Sequence, residues 1–135
     1  MKREFSAGGI VVNDEGKILL TQHSQNKHWG FPKGWINEGE SSKEAATREV
    51  KEEGGVGAEI IEKIGDSKYV YTLNGEKIFK VVVMFLMKYI SGDIKDHDFE
   101  VMDSGWFNLE EALEKLDFPN DRVLLKKALE IQNGQ

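Results

Sequence analysis

The chain of 135 residues contains no cysteine. Disulfides, thiol nucleophiles and cysteine-based zinc sites are therefore excluded, and nothing requires an oxidising compartment. An excess of basic residues is missing too: 18 Lys and Arg against 24 Asp and Glu leave a net charge of −6. Long nucleic acid, which binds a basic face by releasing counterions, is not an expected partner, although a small phosphate-rich substrate is compatible with this balance. No apolar run approaches the roughly 20 residues of a membrane span, and the opening MKREFSAGG lacks the apolar stretch of a signal peptide. A cytoplasmic chain with no membrane partner is the expectation. Repeats and low-complexity linkers are also missing, and 39% hydrophobic with 31% charged residues suits one globular domain over residues 1–135.

What is present is concentrated between Gly34 and Val56, GWINEGESSKEAATREVKEEGGV. Ser41 with Glu44 three residues on has capping-box spacing, and Gly54-Gly55 suits a left-handed helix end, so a helix is predicted from about Ser42 to Glu53. On it Glu49, Glu52 and Glu53 fan over about 100°, bordered by Ala46 and Val50, which can face a core. Like charges at these spacings repel, so the acids either lie in water or hold a cation. Carboxylate oxygens select hard divalent ions, Mg²⁺ first, with Mn²⁺ able to substitute.

The spacing Gly34, five residues, Glu40, seven residues, Arg48-Glu49, Val50, one residue, Glu52-Glu53, one residue, Gly55-Val56 fits the Nudix box at every fixed position. The chain thus resembles the MutT/Nudix hydrolases, which cleave a nucleoside diphosphate linked to another group by metal-assisted attack of water on phosphorus. The resemblance implies an α/β fold, a three-layer α/β/α sandwich around a mixed β-sheet, working as a monomer or homodimer. It further implies that Glu49, Glu52 and Glu53, with the Gly34 carbonyl, ligate the metal, that Arg48 orients Glu49, and that Glu40 braces the loop through a salt bridge. In one branch of the family an acid ahead of a Trp-containing strand supplies the base or a further metal ligand. Glu100, six residues before Trp106, occupies that place, with Asp96, Asp98 and Asp103 as neighbouring rivals.

The rest of the chain supplies the expected frame. Glu4–Val12 and Lys17–His23 read as antiparallel strands about an Asn13–Gly16 turn, and Ala7-Gly8-Gly9 requires close packing, most simply against the acidic helix. Ser24–Gly34 reads as a loop presenting His28, Trp29 and Lys33. Val56–Ile64 is a strand, Tyr69–Leu73 and Lys77–Ile90 form a hairpin about Asn74-Gly75, and Val81–Met87, apolar on both faces, belongs mid-sheet. An acidic loop over Ser91–Glu100 leads to a short strand at Gly105–Asn108 and helices near Leu109–Leu116 and Asp121–Ile131, the last with Leu124, Ala128 and Ile131 as its stripe.

Substrate contacts need cations for phosphate, for which Lys33 and Lys80 are the candidates. Tyr69 and Tyr71, two apart on one strand face, either stack on a base or pack in the sheet. With His28 in HWGFPKG and the Glu100–Trp106 spacing, these flanks look like the diadenosine tetraphosphate hydrolases, whose products are ATP and AMP. Met84 stands where that branch often has a tyrosine. The alternatives are RNA 5′-triphosphate ends, diphosphoinositol polyphosphates, oxidised nucleoside triphosphates, and a nucleotide-binding module without catalysis. No sequence sign of a pocket that reads one base was apparent.

Overall fold

The computed structural model describes residues 1–134, and of Tyr69 the backbone alone. The elements in chain order are β1 (Lys2–Val12), β2 (Ile18–His23), β3 (Trp29–Gly30), β4 (Lys33–Trp35), α1 (Ser42–Gly54), β5 (Val56–Leu73), β6 (Glu76–Gly92), β7 (Val101–Phe107), α2 (Leu109–Lys115) and α3 (Pro119–Asn133). The strands form one mixed sheet in the order β3-β2-β1-β6-β5, with β4 added to β1 and β7 to β2. Among the described residues only the β1–β6 pairing is parallel.

The apolar run of β6 lies between β1 and β5 in the sheet, and helices cover both of its faces, as its composition requires. Phe85 and Met87 pack with Ala45, Ala46 and Val50 of α1 on one side. Val82, Met84 and Leu86 pack with Leu124, Leu125 and Ala128 of α3 on the other. The result is the expected α/β/α sandwich. A side chain at Gly9 would meet Val50 at 2.9 Å, so that glycine admits α1 closely, in line with the sequence expectation.

Several boundaries differ from the sequence reading. The segment read as a loop up to Gly34 contains β3 and β4, two and three residues long, held entirely by pairing to β2 and β1. Val56–Leu73 is one strand rather than two, because register shifts at Gly57/Ala58, Ile60/Glu62 and Lys63/Gly65 let it bend along β6 without breaking. Asn74 and Gly75 both have positive φ, the geometry of the tight hairpin turn predicted there. Strand β7 begins at Val101, not Gly105, and α3 begins at Pro119, the position where a missing N–H costs nothing. Within the acidic loop, Ile94–Asp96 forms a single 3₁₀ turn.

One feature of the sheet positions the site. β1 and β2 pair only at Val12/Ile18 and then part, and the gap is bridged by β4 on the β1 side, at Ser6–Gly8, and β3 on the β2 side, at Thr21–Gln22. A cleft therefore opens through the sheet beside the C-terminal half of α1.

Candidate active site

Helix α1 is fixed at both ends by local chemistry. Ser41 Oγ accepts from the Glu44 amide at 3.1 Å while Glu44 Oε1 accepts from the Ser41 amide at 3.0 Å, the reciprocal capping box. Gly55, at φ 76°, closes the helix with its N–H on the Lys51 carbonyl, whereas Gly54 stays helical. This orientation buries Glu49 and Glu53, 8% and 6% exposed, Glu53 against the cleft and Glu49 against Gly34. Glu52 is turned outward and its side chain is 49% exposed.

Arg48 organises the acids. Its Nη1 donates to Glu49 Oε1 at 2.7 Å and to Glu52 Oε2 at 3.1 Å. Its Nε and Nη2 grip Glu40 at 2.8 and 2.9 Å, and Nη2 also donates to the Trp35 carbonyl at 2.8 Å. One guanidinium thus ties the loop before α1, strand β4 and two of the acids together. The bidentate bond to Arg48 draws the Glu40 carboxyl down to about 2, and the same bond raises Arg48 further into its charged range.

Gly34 is needed for space: a Cβ there would run into the Glu49 carboxyl group. Glu53 accepts one long bond, 3.4 Å, from the Lys33 amide. Burial, and then the charge of Glu49, pushes the Glu53 carboxyl up to about 8, with Asp98 and Glu100 adding to the rise. Glu49 is raised by burial as well, against the opposing pull of Arg48. Among the described residues no three carboxylate or imidazole groups are clustered tightly enough to enclose an ion by themselves. Two buried acids one turn apart, both raised by burial and accepting few hydrogen bonds, are nevertheless a hard-oxygen pair suited to a divalent cation.

The cleft beside this pair, about 330 Å³, is lined by Lys33, Lys80, His28, Glu53 and Glu100. With Gly34, which lines it too, six of the site residues named from sequence are thereby brought to one cavity. Lys80 is desolvated, which lowers its proton affinity, with Lys33 acting in the same direction and Glu4 and Glu53 opposing. His28 stacks edge-on to Phe118 at 4.8 Å and lies 3.4 Å from Asp117. Glu100 is held by its carbonyl, which accepts from the Ser24 amide at 2.8 Å and from Ser24 Oγ at 2.9 Å. Asp98 is the nearest rival, its amide bonded to the Glu52 carbonyl at 2.8 Å. Tyr71 donates its hydroxyl to Glu4, a buried acid of β1. The Tyr69 side chain, the other half of the suggested pair, lies outside the described residues.

A second cavity of about 450 Å³, largely apolar, adjoins the first and shares Lys33, Phe118 and Asp121 with it. Val82, Met84 and Leu124 form its wall, Met84 filling the place noted in the sequence. Asp121, 7% exposed, has an Oδ2 with no hydrogen-bond partner among the described residues, and burial raises its proton affinity. Sequence reading missed both this pocket and Asp121. The residue looks like an ordinary first-turn acid of a helix, and only the docking of α3 over β6 gives it a cavity to face.

The class of fold is a mixed-sheet α/β/α sandwich that carries paired buried acids on a capped helix, locked by an arginine. The NUDIX domain model matches residues 2–128, and the chain belongs to the Nudix family. It is 32% identical over 137 residues to the putative mutator protein MutT4 of Mycobacterium tuberculosis (strain CDC 1551 / Oshkosh), covering 95% of this chain and 55% of that protein. It is 30% identical over 141 residues to an RNA pyrophosphohydrolase of Sphingopyxis alaskensis, covering 92% and 89% respectively. The chain spans about half the length of several curated relatives it matches. Among solved structures it resembles a C. elegans Ap4A hydrolase binary complex, with a TM-score of 0.76 and 27% identity over 98% of this chain and 99% of that one. No helix among the described residues is long and apolar enough to cross a membrane.

Proposed function

We propose that the chain is a Mg²⁺-dependent pyrophosphohydrolase that splits diadenosine tetraphosphate into ATP and AMP. The observation that carries this reading is the pair of adjoining cavities, one apolar and one polar, with Lys33 shared by both and the buried acid Glu53 opening into the polar one. A base fits the apolar cavity, and a long phosphate chain fits the polar one, where Lys33 and Lys80 meet its charge. The likeness to an Ap4A hydrolase structure supports the same substrate.

Glu49 and Glu53 would hold the metal, with Glu52 and the Gly34 carbonyl beside them and Mn²⁺ able to replace Mg²⁺. The ion supplies charge neutralisation at phosphorus and a more acidic water. The chain's residues supply the rest. Arg48 keeps Glu49 aimed at the cleft, the lysines orient the phosphates, and Glu100 takes the water proton as the new O–P bond forms and the anhydride oxygen leaves on the departing nucleotide. Product analysis of purified protein with and without Mg²⁺ tests this: metal-dependent release of ATP and AMP is expected, and no product from any nucleotide would exclude an enzyme and favour a binding module.

A second reading has its own observation. The unpartnered carboxyl of Asp121 at the apolar cavity can donate or accept a hydrogen bond to one base, as a nucleoside triphosphate pyrophosphohydrolase requires. A base-reading pocket, with no sign in the sequence, is therefore available to this chain.

A further inference from the structure

The two cavities account for one base and a phosphate chain and leave Trp35, which also lines the polar cleft, without a role. We infer that Trp35 is an aromatic platform for a second planar group, a nucleobase at the far end of the phosphate chain. The inference rests on reading the site as a nucleotide phosphoanhydride hydrolase.

The pleat of β4 sends alternate residues to opposite sides. The Cβ position of Gly34 points at the Glu49 carboxyl, so the side chains of Lys33 and Trp35 leave the opposite side of β4, and both residues line the cleft. The backbone of Trp35 is held on each side. It pairs with Ser6 in register, its carbonyl accepts from Arg48 Nη2 at 2.8 Å, and the next amide donates to the Phe5 carbonyl at 3.0 Å. Its side chain is left 59% exposed.

The other tryptophans are spent on packing. Trp29 lies under Lys115 Nζ at 4.7 Å and against Phe107 at 5.6 Å, and Trp106 is edge-on to Tyr89 at 5.4 Å. Trp35 has no ring partner among the described residues. A large apolar ring kept in water on an immobile strand is poised for stacking, since the backbone is already ordered and only two side-chain torsions remain to be fixed. Its cross-strand neighbour Ser6, 1% exposed, lines the same cleft, and its Oγ has no hydrogen-bond partner among the described residues, so a polar contact is ready beside the ring. Trp35, Lys33 and Lys80 line one cleft, and Lys33 is shared with the adjoining apolar cavity, so an aromatic ring and two cations are available to the same extended ligand. Stacking reads the π-face rather than the base edge, so this end should take any base while rejecting a chain that ends in bare phosphate.

The test is equilibrium binding, in Mg²⁺, of two hydrolysis-resistant methylene-bridged ligands: the diadenosine tetraphosphate analogue and the adenosine tetraphosphate analogue that lacks the second base. The wild-type protein is expected to prefer the first by about tenfold or more, the scale of one base–aromatic stack. Trp35→Ala should abolish that preference and Trp35→Phe should keep most of it. Full preference in Trp35→Ala, equal affinities in the wild type, or binding of neither ligand would overturn the platform. Hydrolysis of the unmodified dinucleotide, assayed in parallel, reports on the enzyme reading separately: its absence with the binding preference intact rejects the activity and leaves the platform standing.

Discussion

Arg48 holds Glu40 by two bonds, Nε to Oε2 at 2.8 Å and Nη2 to Oε1 at 2.9 Å, and with the remaining Nη1 reaches the buried acid Glu49. A planar fork makes this three-way grip possible, and a lysine ammonium cannot reproduce it. Arg48→Lys is therefore expected to lower kcat/KM by at least about tenfold while the protein stays folded. Steady-state kinetics together with circular dichroism would decide, and wild-type activity in that variant would show that the grip does not orient Glu49.

The two glutamates named for different tasks should separate cleanly. Glu53→Gln is expected to reduce turnover by at least about a hundredfold, the scale for losing a preorganised electrostatic group. Glu44→Gln, which touches only the cap, should cost about 1 kcal/mol of stability or less with turnover unchanged. Thermal melts and kcat on both variants check the assignment, and equal losses of turnover would contradict it.

Burial holds the proton on Glu53 up to about pH 8 in the metal-free protein, whereas an unfolded chain releases it near 4.5. Folding takes up a proton between those values, so stability is greatest below the unfolded value and declines as pH rises toward 8. The metal-free melting temperature is expected to fall by at least about 3 °C between pH 5 and pH 8, with a shallower fall in Glu53→Gln. Saturating Mg²⁺ should raise the melting temperature more at pH 8 than at pH 5, because the cation competes with that proton. A melting temperature that climbs across this window without metal would refute the burial account.

Asp121 is the residue through which the apolar cavity could choose among bases. Asp121→Asn keeps the volume but fixes the donor and acceptor positions, so it should change the kcat/KM ratio between two purine nucleotides by about tenfold and leave the metal requirement alone. Competing-substrate assays measure that ratio. An unchanged ratio would remove Asp121 from base recognition.

Much of this arrangement was legible in sequence because it is local. Ser41, Glu44 and Gly55 set the ends of α1 within a few residues, and Asn74-Gly75 set the turn of the longest hairpin. Lys33, Lys80, His28, Glu53 and Glu100 reach one cleft, as their types and places suggested. What escaped depends on contacts between distant segments. β3 and β4 are too short to have a period and exist only through their partners, and the unity of β5 comes from bulges that follow β6. Glu52 carries the same spacing signal as Glu49 and Glu53, yet Arg48 and solvent hold it outward. Asp121, Ser6 and Trp35 gain meaning from what α3, β4 and β1 bring beside them, which no window of sequence contains.

The most direct measurement of the central claim is a one-pot competition with Mg²⁺ among diadenosine tetraphosphate, a 5′-triphosphorylated RNA, a diphosphoinositol polyphosphate and an oxidised nucleoside triphosphate, the products identified by mass spectrometry. The account predicts that diadenosine tetraphosphate is consumed with the highest kcat/KM and yields ATP and AMP. A higher kcat/KM for any competitor, or products other than ATP and AMP from the dinucleotide, would contradict it.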